Sequence, residues 1–185
     1  MFRIFSCLTV EHDWRLVLLA GLVCFVASIV AVSIFHRAIA ARARTRLIWI
    51  AIAGAAIGYG IWATHFVAML AYEPGVATGY GIVLTSLSLA TAMLLTSVGF
   101  GVAAGDSGRW RPETGGVIIG GGIASMHYLG MWALEVPGRV AWSLDLVLVS
   151  ITLGVCFGYA ALAVAIKYRH YQGTLAAAVL LTLAI

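Results

Sequence analysis

The sequence predicts an all-α integral membrane protein: a bundle of five complete transmembrane helices followed by the start of a sixth. Three observations support this fold class: 63% of the 185 residues are hydrophobic, only 10% are charged, and the mean hydropathy is +1.05. Soluble domains carry about 25% charged residues, so this chain lacks the polar surface that such a domain needs. The net charge of +4 comes largely from arginines in the connections, which indicates membrane topology rather than nucleic-acid binding.

The apolar runs predict the helices in chain order. Each of the first five is near or above the ~20 residues that a helix needs to cross a bilayer. These runs are Trp14–Phe35, Leu47–Tyr72, Gly79–Ala104, Gly115–Leu134 and Ser143–Ile166. A sixth run begins near Thr174 and reaches Ile185 after about 12 residues, which is too short to span, so the sequence predicts a chain that ends inside a helix.

The charged connections predict the orientation in the membrane. Arginine and lysine collect in the first, third and fifth connections, whereas the second and fourth contain only Arg139. The basic residues of the odd-numbered connections are Arg37, Arg42, Arg44, Arg46, Arg109, Arg111, Lys167 and Arg169. Because positively charged connections stay in the cytoplasm, we expect these connections to be cytoplasmic and the N-terminus to be outside.

An internal repeat relates the second helix to the fourth. The segments "GIWATHFVAMLAYEP" and "GIASMHYLGMWALEVP" align at an offset of 62 residues, and both belong to the pattern Gly-x3-Gly-x6-His-x3-Met-x3-Glu. The paired residues are His65 and His127, Met69 and Met131, and Glu73 and Glu135. Because this offset covers one helical hairpin, the sequence predicts parallel repeats of two helices each. A third copy would place a histidine near position 189, beyond the last residue.

The spacing of the repeat predicts which face of each helix is packed. Intervals of four, seven and four residues keep the glycine pair, the histidine and the methionine on one helical face. The glycine pairs are Gly54 with Gly58 and Gly116 with Gly120. In a membrane, Gly-x3-Gly lets two helices approach closely. We therefore expect each histidine to project toward other helices and away from lipid.

The repeated histidine and methionine indicate a shared binding site. A lone intramembrane histidine is more often an interhelical hydrogen-bond donor, and methionine alone is usually flexible core filler. Two pairs at matched depth favour a metal site formed by His65, Met69, His127 and Met131. Imidazole with thioether favours copper over magnesium, calcium or manganese, and zinc prefers thiolate or carboxylate partners. Two imidazoles on neighbouring helices are also compatible with axial ligation of haem.

The acidic residues and the rest of the sequence do not indicate catalysis. Glu73 and Glu135 lie at the C-terminal ends of their helices, where the helix dipole disfavours negative charge. They are either solvated ends of the span or a rim that attracts cations. The sequence has no glycine-rich phosphate loop, no Ser/His/Asp set and no intramembrane carboxylate pair, and the cytoplasmic connections are too short for an output domain. We expect no enzymatic activity in this chain.

The segments "WATHFVAM" (62–69) and "SMHYLGM" (125–131) resemble the repeated motif of the MHYT membrane sensor family. The resemblance covers essentially the whole chain as a single sensor domain, 1–185, truncated in its sixth helix before a third motif. It implies a domain of the bacterial inner membrane that precedes cytoplasmic outputs, commonly GGDEF and EAL domains that make and break cyclic di-GMP, or histidine kinases. It also implies sensing of oxygen, carbon monoxide or nitric oxide through a copper ion.

Carried onto this sequence, the motif's ligands fall on His65, Met69, His127 and Met131, with Met126 as an addition. The departures from the motif are Thr64 in place of Met, Val67 and Leu129 in place of Thr, and Ala68 in place of Gly. The histidine and the later methionine are present in both copies. Because position 64 has no sulfur, Met126 has no counterpart in the first copy.

The sequence thus predicts a membrane-embedded sensory domain that binds copper and relays a gas or redox signal to a cytoplasmic output. The alternatives from other classes are a haem-binding electron carrier and a small transporter, the latter suggested by the parallel repeats. The expected partners are the lipid bilayer, a diatomic gas, a cytoplasmic output domain or partner protein, and a second copy in a homodimer. No nucleic-acid partner is expected.

The orientation generates the first test. In a variant whose native cysteines are replaced by serine, a cysteine introduced between Arg42 and Arg46 should not react with a membrane-impermeant maleimide in intact cells. Gly138→Cys should react, because its connection is predicted to be outside. Labelling of the first site together with protection of the second would reverse the orientation.

Overall fold

The computed structural model describes residues 13–72, 78–105, 111–138 and 142–185. These residues form six α-helices and one two-stranded antiparallel pairing. The helices are α1 (Trp14–Ala40), α2 (Ala43–Leu70), α3 (Ile82–Ala104), α4 (Arg111–Trp132), α5 (Leu144–Lys167) and α6 (Tyr171–Ala184). The strands are β1 (Gly79–Tyr80) and β2 (Leu134–Glu135).

Four of the described helices, α1, α2, α3 and α5, are long and apolar enough to cross a membrane. The prediction of five complete spanning helices is therefore not met by this criterion. Helix α4 has 22 residues, but its many glycines and the imidazole of His127 lower its hydropathy. Glycine serves close packing rather than contact with lipid. Helix α6 has 14 residues, which is shorter than a span.

The six helices form a ring in which each packs on its neighbours in sequence, and α6 packs on α1 to close it. Helices α2 and α4 also touch each other across the ring. The core is built from small and branched side chains with few aromatic rings. The exception lies between α1 and α3, where Phe35 stacks on Phe100 with ring centroids 4.7 Å apart.

The glycine pairs form the close helix contacts that the spacing predicts. A Cβ atom at Gly54 or Gly58 would overlap the backbone of α3, and one at Gly116 or Gly120 would overlap the backbone of α5. The partner residues are Ser97 and Met93 for the first pair and Tyr159 and Val155 for the second. Each partner in the second pair lies 62 positions after its counterpart in the first, so the packing repeats with the sequence.

The end of the bundle where α2 and α4 terminate, here called the motif end, repeats in the same way. The backbone N–H of Asp13, at the start of α1, donates to the carbonyl of Ala71 at 2.9 Å. The N–H of Gly81, at the start of α3, donates to Ala133 at 2.8 Å. These bonds satisfy carbonyls that a helix end leaves without a partner. The pairing of β1 with β2, in register Gly79 to Glu135, joins the two copies there.

The close helix contacts at these two glycine pairs, here called the seams, generate the second test. Two adjacent glycines of α4 serve as matched positions. Gly120→Ala should lower the free energy of unfolding by about 1–3 kcal/mol, because its Cβ meets the backbone of α5. Gly121→Ala should be neutral or stabilising by up to about 1 kcal/mol, because nothing lies within 4 Å of its Cβ. Thermal unfolding of both variants in detergent measures the difference. Equal shifts of the unfolding temperature in the two variants would contradict the close contact of Gly120 with α5.

Candidate functional site

The two motif histidines meet between α2 and α4. The Nδ1 atoms of His65 and His127 lie 3.3 Å apart, within hydrogen-bond distance. The ring centroids are 5.0 Å apart and the rings are nearly perpendicular, at 80°. The two imidazoles therefore lie on facing helices, as the packed faces of the repeat predict.

His65 is enclosed by protein. Its side chain is 8% exposed, and the ring of Phe66 packs edge-on against it with centroids 5.0 Å apart. On another side, a Cβ atom at Gly130 would overlap Nε2 and Cδ2 of the imidazole. Among the described residues, His65 Nε2 is buried without a hydrogen-bond partner. The ring is therefore held between Phe66, Gly130 and His127.

His127 projects toward α2, as expected, but it is more exposed than His65. A cavity of about 110 Å³ borders His127 between α4 and α5.

Aromatic side chains extend from the histidine pair in two directions. The ring of Tyr128 packs edge-on against His127, and its hydroxyl shares a hydrogen bond of 2.9 Å with Ser150 Oγ of α5. Trp142 packs on Tyr128 with centroids 5.3 Å apart. On the other side, Tyr80 of β1 packs on Phe66. Burial raises the pKa of the Tyr80 phenol, so this side chain is neutral at physiological pH.

The methionines occupy two kinds of environment. Met69 and Met131 are half-buried and lie one helical turn beyond the histidines, about 6 Å along each axis toward the motif end. Met126 is 1% exposed and belongs to the hydrophobic core together with Ile119 and Ile123. Since the neighbouring His127 is exposed, Met126 lies on a different face of α4 from the imidazole. This placement favours a packing role for Met126.

The nitrogen spacing fits a metal ion as well as it fits a hydrogen bond. Two atoms 3.3 Å apart form one edge of a tetrahedron whose centre lies about 2.0 Å from each, which is the usual length of a bond from a metal to imidazole. In the part of the chain that the structure describes, no group of three His, Cys, Asp or Glu side chains could hold an ion. In the predicted set, the further ligands are the thioethers of Met69 and Met131.

The predicted acidic rim is described on one side only. Glu135 in β2 is exposed, and its carboxylate lies beside Gly79 and Gly81. Glu73 lies outside the described residues. Glu135 thus lies at the motif end, on the strand that follows the helix of His127, where it is available to solvent.

Sequence reasoning missed two contributors to the site. Gly130 lies three residues after His127, so helical periodicity places it near that face, but only the fold brings it against His65. Ser150 lies on α5, and its counterpart Ser88 is also a serine. Its hydrogen bond to Tyr128 has no signal in the repeat, because the counterpart of Tyr128 is Phe66, which has no hydroxyl. A single sequence contains no information on which hydroxyl meets which helix.

The fold and the site define a helical membrane protein with a duplicated histidine motif whose two copies meet at one point. Comparison with known families agrees with this class. The family described as "Bacterial signalling protein N terminal repeat", MHYT, matches residues 58–116 and 120–178. The chain belongs to the MHYT family.

Several curated signalling proteins are similar to this chain. An uncharacterized signaling protein of Caulobacter vibrioides is 41% identical over 165 residues, which are 89% of this chain and 20% of the relative. The bifunctional diguanylate cyclase/cyclic di-GMP phosphodiesterase MucR of Pseudomonas aeruginosa is 38% identical over 86% of this chain and 24% of MucR. The cyclic di-GMP phosphodiesterase NbdA of the same organism is 34% identical over 80% of this chain and 19% of NbdA.

The chain therefore spans about a fifth to a quarter of the length of these relatives. No solved structure shows a significant match to it.

The two classes of methionine generate the third test. Met126→Ala should lower the free energy of unfolding by about 2–5 kcal/mol, because it leaves a cavity in a fully buried site. Met131→Ala, at a half-buried position, should cost clearly less. Met126→Leu, which conserves volume, should cost under about 1.5 kcal/mol. Thermal unfolding of the metal-free variants provides the comparison, and equal losses at 126 and 131 would contradict the core assignment.

Proposed function

We propose that this chain is the membrane-embedded sensory part of a larger signalling protein, in which the histidine pair binds a copper ion. The observation that carries the proposal is the 3.3 Å separation of the two Nδ1 atoms, contributed by two copies of one motif. A pair of nitrogens at this spacing can chelate one ion.

The proposed ligands are His65 and His127, with Met69 and Met131 as thioether ligands one turn away. This donor set is soft to borderline, which favours copper. Copper, when bound, would supply a centre that takes up a diatomic gas (oxygen, carbon monoxide or nitric oxide) or changes its redox state. The protein's own part is to hold the imidazoles at a fixed spacing and to restrict access of water to His65.

The haem alternative is disfavoured by the same distance. Axial imidazoles bind on opposite faces of the macrocycle. Nitrogen atoms 3.3 Å apart leave no space for a porphyrin between them. A transporter has no comparable support, because none of the described helices is broken at the level of the histidines.

The proposed output is a cytoplasmic signalling domain that lies elsewhere in the full protein. The names of MucR and NbdA support an enzyme that makes or degrades cyclic di-GMP, and a histidine kinase is the other candidate. On this proposal the present chain detects the signal and has no enzymatic activity itself. An output domain in the same protein or a separate partner protein receives the signal.

The proposed setting is the bacterial inner membrane, with the N-terminus and the motif end outside. The bias of arginine toward the odd-numbered connections supports this orientation. We include α4 among the spanning helices in spite of its lower hydropathy, because it packs between α3 and α5. The bilayer is then the main partner, and a homodimer would bring two output domains together.

Signal transmission requires that the ligand bind two helix arrangements with different affinity. The histidine pair is where α2 and α4 meet across the ring. A ligand that joins the two imidazoles therefore favours the arrangement in which these helices are close. Loss of the ligand removes this preference.

Metal analysis tests the proposal. The purified chain and the full-length protein should retain copper in preference to zinc, because thioether ligands select for copper. His127→Ala should weaken copper binding by more than the about 10–100-fold that loss of an outer-sphere partner costs. Met126→Leu is the matched control and should retain copper, because Met126 lies in the core.

Mass-spectrometric metal content and titration with copper(I) measure these effects. Preparations of both proteins that contain no copper and take up none on reconstitution would overturn the proposal. The histidines would then form an interhelical hydrogen bond only.

A further inference from the structure

The contact between His65 and Gly130 bears on which nitrogen of the His65 imidazole carries the proton. A hydrogen bond between two Nδ1 atoms needs a proton on one of them and a lone pair on the other. Each neutral imidazole has its single proton on either Nδ1 or Nε2. The pair therefore has two possible arrangements, and the surroundings of the two Nε2 atoms differ.

In the first arrangement His127 donates and His65 accepts. The proton of His65 is then on Nε2, which is buried without a partner among the described residues and is packed against Gly130. A buried Nε2 without a partner costs about 1–3 kcal/mol whether it carries a proton or a bare lone pair, so the choice between the arrangements depends on the space around this atom. The added hydrogen needs space on the side of the ring that packs against Gly130, where even a Cβ atom would overlap the imidazole.

In the second arrangement His65 donates from Nδ1 and His127 accepts. His65 then presents only a bare lone pair to Gly130, which leaves room for the contact that the structure contains. The proton of His127 is on Nε2, and His127 is an exposed residue at the border of the cavity lined by Tyr128 and Ser150. Among the described residues, its Nε2 is not one of the buried atoms that lack a partner.

A flip of the His65 ring does not rescue the first arrangement. Rotation by 180° exchanges Nδ1 with Cδ2, so a C–H group would face His127 and the hydrogen bond would be lost. The ring also has little freedom to tilt, because Phe66 and Gly130 enclose it. The recorded orientation is the one that makes a hydrogen bond.

We propose that Gly130 is a positioning residue that fixes the tautomer of His65, with the proton on Nδ1, so that His65 donates to His127 and its Nε2 is closed to ligands. Any side chain at position 130 would displace the imidazole. Nδ1 is then the atom through which His65 binds a ligand that the pair shares.

This assignment, on the proposed function, couples ligand uptake to helix spacing. Binding of a cation at Nδ1 requires the proton to leave that atom, and a neutral His65 must then have it on Nε2. There the hydrogen meets Gly130 of α4. Occupation of the site thus places a new atom between α2 and α4 on the far side of the ring, and the helices must adjust around it.

Nitrogen NMR of the metal-free chain tests the tautomer without any variant. The protein is labelled with ¹⁵N-histidine, treated with a chelator and studied in lipid nanodiscs at a pH where imidazole is neutral. Protonated and bare imidazole nitrogens have well-separated resonances, and His65→Gln identifies the signals of His65. We expect a proton on Nδ1 and a bare Nε2. A proton on Nε2, or an equal mixture, would overturn the proposal.

A pair of glycine variants tests the role of Gly130. Gly130→Ala should shift His65 toward a mixture of tautomers and remove the hydrogen bond to His127, whereas Gly121→Ala in the same helix should leave the spectrum unchanged, since its Cβ meets nothing. Unchanged His65 signals in Gly130→Ala would overturn the positioning role. If Gly130→Ala does not fold, the tautomer of the unmodified protein decides the proposal.

The outcome is separable from that of the copper proposal. A protein with the expected tautomer that takes up no copper retains this inference and loses the proposed metal. A protein that binds copper but has the His65 proton on Nε2 in its metal-free state retains the metal site and loses the role assigned to Gly130.

Discussion

Close approach of helix backbones at glycine is the constraint on which the rest of the structure depends. Inside a bilayer there is no hydrophobic drive between helices, so contacts form where small residues allow many van der Waals contacts. The seam glycines place α2 on α3 and α4 on α5 with backbone against backbone. The same residues lower the hydropathy of α4. Glycine in α4 thus allows close helix packing but makes the helix less hydrophobic, and the sequence of α4 favours packing.

The histidine pair depends on this packing geometrically. His65 and His127 approach to 3.3 Å because two copies of one hairpin pack in the same way and turn the same face inward. Gly130 lets the imidazole of His65 lie against the backbone of α4, just as the seam glycines let one helix backbone lie against another. A glycine can therefore set the chemistry of a residue on another helix, although it has no functional group of its own.

The sequence was sufficient for the helices, the repeat and the meeting of the two histidines, since all three follow from periodicity. It was insufficient for three features that depend on relations between helices. Hydropathy reasoning overestimated α4. The exposure of His127 depends on how the neighbouring helices pack around it, and the contact of Gly130 with His65 joins residues of two copies. Met126 is an intermediate case, because its different helical face was readable but its place in the core was not.

Repeats place equivalent residues in surroundings that are not equivalent, and this difference gives the two histidines separate roles. His65 is enclosed, with its Nε2 against Gly130, whereas His127 borders a cavity. The position that corresponds to Gly130 in the first copy is Ala68. Alanine has a Cβ atom, and a Cβ atom at position 130 would overlap the imidazole of His65. The enclosed histidine is suited to donate a proton within the protein, and the exposed one is suited to exchange with solvent. On the proposed tautomers, the histidine of the first copy donates the shared hydrogen bond and the histidine of the second copy accepts it.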